Sequence, residues 1–96
     1  MTTYLVSRHS GAHEWFAEQG VPVDVRLEHL NPEIIGDGDI VIGSLPVHLA
    51  AEVCAHGARY IHLVLDLSPE MRGKELTAED MRKAGARLEE FVVTRP

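Results

Sequence analysis

The sequence predicts a single small α/β domain with a mostly parallel sheet of about five strands and helices on both faces. Two observations support this fold class. Short apolar runs alternate along the 96 residues with segments whose apolar side chains recur at helical spacing. The runs Tyr4-Leu5-Val6 and Ile40-Val41-Ile42 are also continuous, as is typical of strands that are covered on both faces of a parallel sheet.

Strands are predicted at residues 3–7, 23–27, 39–43, 59–65 and 91–94, and helices at 12–19, 46–56 and from Thr77 to Leu88. Ser10 is expected to cap the first helix, Ser44 or Leu45 the second, and Thr77 the third. Residues 1–96 therefore form one Rossmann-like domain of three layers.

In such a sheet the loops that follow parallel strands meet at one edge, and ligands bind where the strand order reverses. We expect three loops at that edge: Ser7–Gly11, Gly43–Pro46 and the loop after Asp66. The first two loops are both short, contain Gly and Ser, and lead into a helix. Free amides and the helix dipole make such positions suitable for a phosphate.

Composition narrows the range of functions. The formal net charge of −6 argues against duplex nucleic acid as a partner. No apolar run is long enough to cross a membrane, and the first residues lack the features of a signal peptide. The single cysteine, Cys54, suits a reducing cytoplasm. The six histidines form no metal-ligand motif, so we expect neither a metal site nor a cofactor.

The first loop carries the residues with the clearest chemical potential. Arg8 can grip a phosphate through two parallel hydrogen bonds, and His9 can move a proton near neutral pH. Ser7 and Ser10 add hydroxyl groups. An equally weighted interpretation makes Arg8 and His9 solvated loop residues and both serines helix caps.

Other candidate ligand contacts carry weaker signals. Ser44 and His48 begin the second helix, and Arg72 lies on a loop that could close over a ligand. For each of them a cap or a solvated side chain is the favoured interpretation. His62, within a strand, is expected to be packed or hydrogen-bonded rather than a ligand.

Several segments together resemble a known family. They are Thr3 to His9 with Gly11, Ala12 and Trp15; Gly38-Asp39, Val41 to Gly43 and Leu45 to Val47; Leu49 to Cys54 and Gly57 to Tyr60; and Arg72-Gly73, Glu75-Leu76 and Gly85 to Glu89. They resemble a small family of CRISPR-associated proteins from type III systems, which is regarded as a ring-nuclease family. The resemblance spans nearly the whole chain.

The resemblance implies a homodimer that binds cyclic oligoadenylate, above all cyclic tetra-adenylate, and linearises it. This phosphodiesterase activity would remove the second messenger of the antiviral response, without a metal ion, through attack by a ribose 2′-hydroxyl. Arg8 and His9 would be catalytic. The ligand would be held by Ser7, Ser10, Gly11, Gly43, Ser44, Leu45, Pro46, His48 and Arg72.

Two other functions stay open at this point. The same fold could bind and sequester the cyclic nucleotide without cutting it. A histidine phosphatase is a lesser alternative, because an Arg-His-Gly signature also follows the first strand in those enzymes. Here the order is Arg8-His9-Ser10-Gly11, one residue out of register.

Overall fold

A five-stranded sheet with the order β2-β1-β3-β4-β5 organises the computed structural model, which describes residues 1–96. The strands are β1 (Thr3–Val6), β2 (Val25–Leu27), β3 (Ile40–Gly43), β4 (Arg59–Val64) and β5 (Arg87–Phe91). The helices are α1 (Ser10–Glu18), α2 (Val47–Ala55) and α3 (Ala78–Lys83), with 3-10 turns at Pro32–Ile34 and Pro69–Met71. β1 to β4 are parallel, and β5 is antiparallel to β4. The predicted fold class is confirmed.

Each face of the sheet is covered by helices because neighbouring strand residues point to opposite sides. In β3, Val41 packs with α2 and Ile42 packs with α1 and α3. Trp15 and Phe16 of α1 and Met81 of α3 belong to the same buried cluster as Ile42, so these two helices cover one face of the sheet. The domain is therefore a three-layer structure with a small core on each side.

The strand register places the last residues of β1, β2 and β3 side by side, at the end of the sheet from which the loops emerge. Leu27 pairs with Val6, Val6 pairs with Gly43, and Gly43 pairs with His62. The chain leaves β1 for β2 on one side, whereas β3 lies on the other side of β1. The strand order therefore reverses between β1 and β3, beside the Ser7 and Ser44 loops.

The C-terminal part differs from the prediction. The helix α3 ends at Lys83, and Leu88 lies in β5 rather than on the helix. Gly85, with a φ of 67°, turns the chain out of the helix. β5 is an exposed edge strand, in which Glu90 pairs with Arg59 of β4. The strand was predicted at residues 91–94 instead, because the charged residues of β5 interrupt any apolar run.

Helix caps were predicted correctly only for α3. Thr77 accepts a hydrogen bond from the Asp80 amide, and the Asp80 carboxylate accepts one from the Thr77 amide. The N-cap of α1 is His9 rather than Ser10, and that of α2 is Pro46 rather than Ser44 or Leu45. The two serine side chains are therefore not helix caps.

Several carboxylates should make the fold sensitive to acid. Hydrogen bonds from the amides of Gly36 and Thr2 hold the pKa of Asp39 below its ordinary value of 3.8. Hydrogen bonds to the carboxylate likewise lower the pKa values of four more acids: Glu70, Glu75, Asp80 and Glu90. Their stabilisation is present above the unfolded-state pKa and is lost as the pH falls through the lower folded-state pKa.

We expect the melting temperature to be insensitive to these groups from about pH 7 to about pH 5 and to fall in more acidic buffer. Asp39→Asn removes one titrating group, so its melting temperature should fall less steeply in acid than that of the wild type. Thermal unfolding followed by circular dichroism across a pH series measures both slopes. Parallel curves would contradict the role given to Asp39.

Candidate functional site

A cavity of about 600 Å³ lies at the end of the sheet where the strand order reverses. Its walls are the segments that follow β1, β2 and β3, together with the last part of β4 and the chain beyond it. The volume is typical of small-molecule sites. The loops that contain Ser7 and Ser44 line this one cavity, as the sequence predicted.

The amides at the start of α1 are already occupied, contrary to the expectation of an anion site there. The Ser10 amide donates to Glu75 Oε1 over 3.0 Å, and the Gly11 amide donates to the Leu76 carbonyl over 3.2 Å. Hydrogen bonds from Ser10 lower the pKa of Glu75, so this carboxylate is the anion at the helix N-terminus. Neither Ser10 nor Gly11 lines the cavity.

Hydrogen bonding defines which nitrogen of His9 carries the proton. The Leu76 amide donates to His9 Nδ1 over 3.1 Å, so Nδ1 must present its lone pair. In the neutral ring the proton is then on Nε2. His9, which lines the cavity, is thus a hydrogen-bond donor there. A nucleophilic Nε2, which a histidine phosphatase needs, would require the opposite tautomer.

Arg8 is the cationic side chain of the cavity. Six of the nine Lys and Arg side chains form ion pairs with carboxylates: Arg59, Lys74, Arg82, Lys83, Arg87 and Arg95. Arg8, Arg26 and Arg72 form none, and of these three only Arg8 lines the cavity. A guanidinium without a carboxylate partner is available to an anionic ligand.

The helix that follows the second loop, α2, has unpaired amides at its N-terminus, unlike α1. Ser44 Oγ donates to the Leu63 carbonyl over 2.6 Å, and the Leu45 amide donates to the Tyr60 hydroxyl over 2.9 Å. Beyond them, the amides of Val47 and His48 have no acceptor within the chain. The start of α2 adjoins the cavity, since Pro46 lines it. This end of the helix retains the unpaired donors that α1 lacks.

A model of the family described as "Putative CRISPR-associated protein (Cas_VVA1548)" matches residues 4–94. The chain belongs to this family. No curated protein and no solved structure matches the chain significantly.

In this CRISPR-associated protein, the residues proposed from the sequence are only partly brought together. Ser7, Arg8, His9, Ser44, Leu45 and Pro46 line the cavity, whereas Ser10, Gly11, Gly43, His48 and Arg72 do not.

None of the helices is both long and apolar enough to cross a membrane.

Sequence reasoning missed three polar residues at the site. Glu28 and His29 follow β2 and line the cavity, as does His62. His62 was expected to be packed or hydrogen-bonded, and Nδ1 is indeed hydrogen-bonded to the hydroxyl of the buried Tyr60. The alternation Tyr-x-His in a strand was a usable signal, because it places both side chains on one face.

Gly11 has a structural role in this CRISPR-associated protein. A Cβ atom there would lie 2.3 to 2.6 Å from the backbone of residues 76–78. Gly11→Ala should therefore separate α1 from the start of α3 and reduce the free energy of unfolding by about 1–3 kcal/mol. Chemical denaturation measures this change. Gly36→Ala is the control, because its Cβ would meet only Asp39 at 3.6 Å; equal effects would contradict the close approach.

Proposed function

We propose that this CRISPR-associated protein is a ring nuclease that binds cyclic oligoadenylate and linearises it. The observation that carries the proposal is Arg8, a cation without a carboxylate partner in a cavity at the switch point of the sheet. Family membership supplies the CRISPR context, and the resemblance noted in the sequence supplies the cyclic ligand, with cyclic tetra-adenylate as the first ring to test.

The chemistry requires positioning and charge stabilisation rather than a protein nucleophile. A ribose 2′-hydroxyl attacks the adjacent phosphorus, and the bond from phosphorus to the 5′ oxygen breaks. The ribose that carried the attacking hydroxyl then ends in a 2′,3′-cyclic phosphate. Arg8 stabilises the charge that develops on the phosphate, and His9 donates a hydrogen bond to the same group. The unpaired amides of Val47 and His48 add donors near the start of α2.

The proposed ligand also fits the one carboxylate that lines the cavity, Glu28. A carboxylate repels phosphate, but it accepts hydrogen bonds from the amino group of an adenine base. We place phosphate near Arg8 and a base near Glu28. The proposal locates the protein in the cytoplasm, where the thiol of Cys54 remains reduced.

The decisive experiment incubates the protein with cyclic tetra-adenylate in the presence of a chelator and separates the products by liquid chromatography. We expect linear products with 2′,3′-cyclic phosphate ends. Arg8→Ala should lower the cleavage rate about 100-fold, because one charged contact to the transition state is lost. Arg26→Ala is the matched control, since Arg26 is also unpaired but lies outside the cavity.

Each other outcome has a defined meaning. Tight binding with an intact ring would contradict cleavage and favour a sequestering module. Failure to bind rings of three, four or six adenylates would contradict both. Equal losses in the Arg8 and Arg26 variants would contradict the placement of the site. Phosphate release from a monoester, abolished by His9→Ala, would instead support the phosphatase alternative.

We also propose that the active form is a homodimer, since two copies present two Arg8 side chains to a ligand with several phosphates. The apolar surface beside the cavity supports this proposal. Val47 is 72% exposed and Phe91 is 44% exposed, and both line a hollow of about 220 Å³ that shares Leu45 and His62 with the cavity. Exposed apolar surface of this kind marks protein contacts.

Val47→Asp should convert the dimer into a monomer while the fold is retained, because an acid in the first turn suits the dipole of α2. Sedimentation velocity measures the mass of each species. Ile34→Asp, at an exposed apolar residue that lines neither cavity, is the control. A wild-type protein that sediments as a monomer, or a Val47 variant that remains dimeric, would contradict this interface.

A further inference from the structure

The Tyr60 hydroxyl makes three polar contacts inside the sheet. It lies 3.1 Å from the Gly43 carbonyl, 2.9 Å from the Leu45 amide and 2.5 Å from His62 Nδ1. Tyr60 is 2% exposed, so water does not compete for these contacts. Burial raises the pKa of Tyr60, so its hydroxyl keeps its proton.

Only one assignment of protons makes all three contacts hydrogen bonds. The Gly43 carbonyl can only accept, so the single proton of Tyr60 is donated to it. The Leu45 amide donates to the hydroxyl oxygen. The remaining partner, His62 Nδ1, must also donate to that oxygen. The neutral His62 ring therefore carries its proton on Nδ1 and a lone pair on Nε2.

The lone pair on His62 is available to a ligand. Nε2 has no hydrogen-bond partner within the chain, and His62 lines the 600 Å³ cavity together with Arg8 and His9. The rings of Tyr60 and Phe91 contact the imidazole edge-on, with centroids at 5.7 and 5.8 Å. These contacts restrict rotation of the ring, so the direction of Nε2 is set before a ligand binds.

His62 and His9 therefore have complementary roles. His9 accepts at Nδ1 and presents an N–H at Nε2, whereas His62 donates at Nδ1 and presents a lone pair. A cleavage by an internal hydroxyl needs both kinds of group: a donor for the phosphate and an acceptor for the proton of the hydroxyl.

We propose that His62 Nε2 is the general base that removes the proton from the attacking 2′-hydroxyl, and that Tyr60 is the positioning residue that sets its tautomer. This inference rests on the proposed ring-nuclease function. The 2′ oxygen forms a bond to phosphorus and the bond from phosphorus to O5′ breaks. O5′ keeps the electron pair and takes a proton from water, and His62 returns its proton to solvent.

The test measures cleavage and binding of cyclic tetra-adenylate separately. His62→Ala and His62→Gln should each lower the cleavage rate about 100-fold or more, with ring affinity changed less than about fivefold. Glutamine can still donate to Tyr60 but cannot accept the proton. Imidazole added to the buffer should restore part of the activity of His62→Ala, because it supplies the missing base. Tyr60→Phe should lower the cleavage rate as well.

His13→Ala is the control, since His13 is exposed on α1 and lines neither cavity. Cleavage by either His62 variant within fivefold of the wild type would overturn the inference while the ring-nuclease function stands. Loss of binding in proportion to cleavage, or no restoration by imidazole, would also overturn it. If the wild type leaves the ring intact, the proposed function fails first, and this inference fails with it.

Discussion

The Tyr60 hydroxyl connects three parts of the cavity wall that are distant in sequence. It joins the end of β3 through the Gly43 carbonyl, the loop before α2 through the Leu45 amide, and the middle of β4 through His62. A buried hydroxyl that lost these partners would carry a large desolvation cost. The shape of the second loop and the tautomer of His62 therefore depend on the same buried group.

The two helices that begin beside the sheet edge differ in how their N-termini are satisfied. Glu75 supplies a carboxylate to α1, and this contact also holds the segment before α3 against the first loop. At α2, Pro46 is the N-cap and provides no side-chain hydrogen bond, so the next two amides stay unpaired. An anion attracted by a helix dipole is therefore better accommodated at α2 than at α1.

Charge is distributed so that an acidic protein can still present a cation at this edge. The net charge is −6, yet most of the basic side chains are neutralised by nearby carboxylates. Arg8 is not neutralised in this way and lies within the cavity. A local cation of this kind acts at short range, where the repulsion from distant surface carboxylates is screened by salt.

The sequence by itself determined the α/β class, the parallel strands and the placement of Arg8 and His9 after the first strand. These features follow from local periodicity and from the general geometry of parallel sheets. It misplaced β5, since a charged edge strand lacks an apolar run. Only the tertiary structure decided that Glu75 fills the α1 N-terminus, 65 residues from Ser10 in sequence, and that the Tyr60 hydroxyl joins the end of β3 to the loop before α2. Both depend on hydrogen bonds that local periodicity does not encode, because their partners meet only when loops and strands pack together.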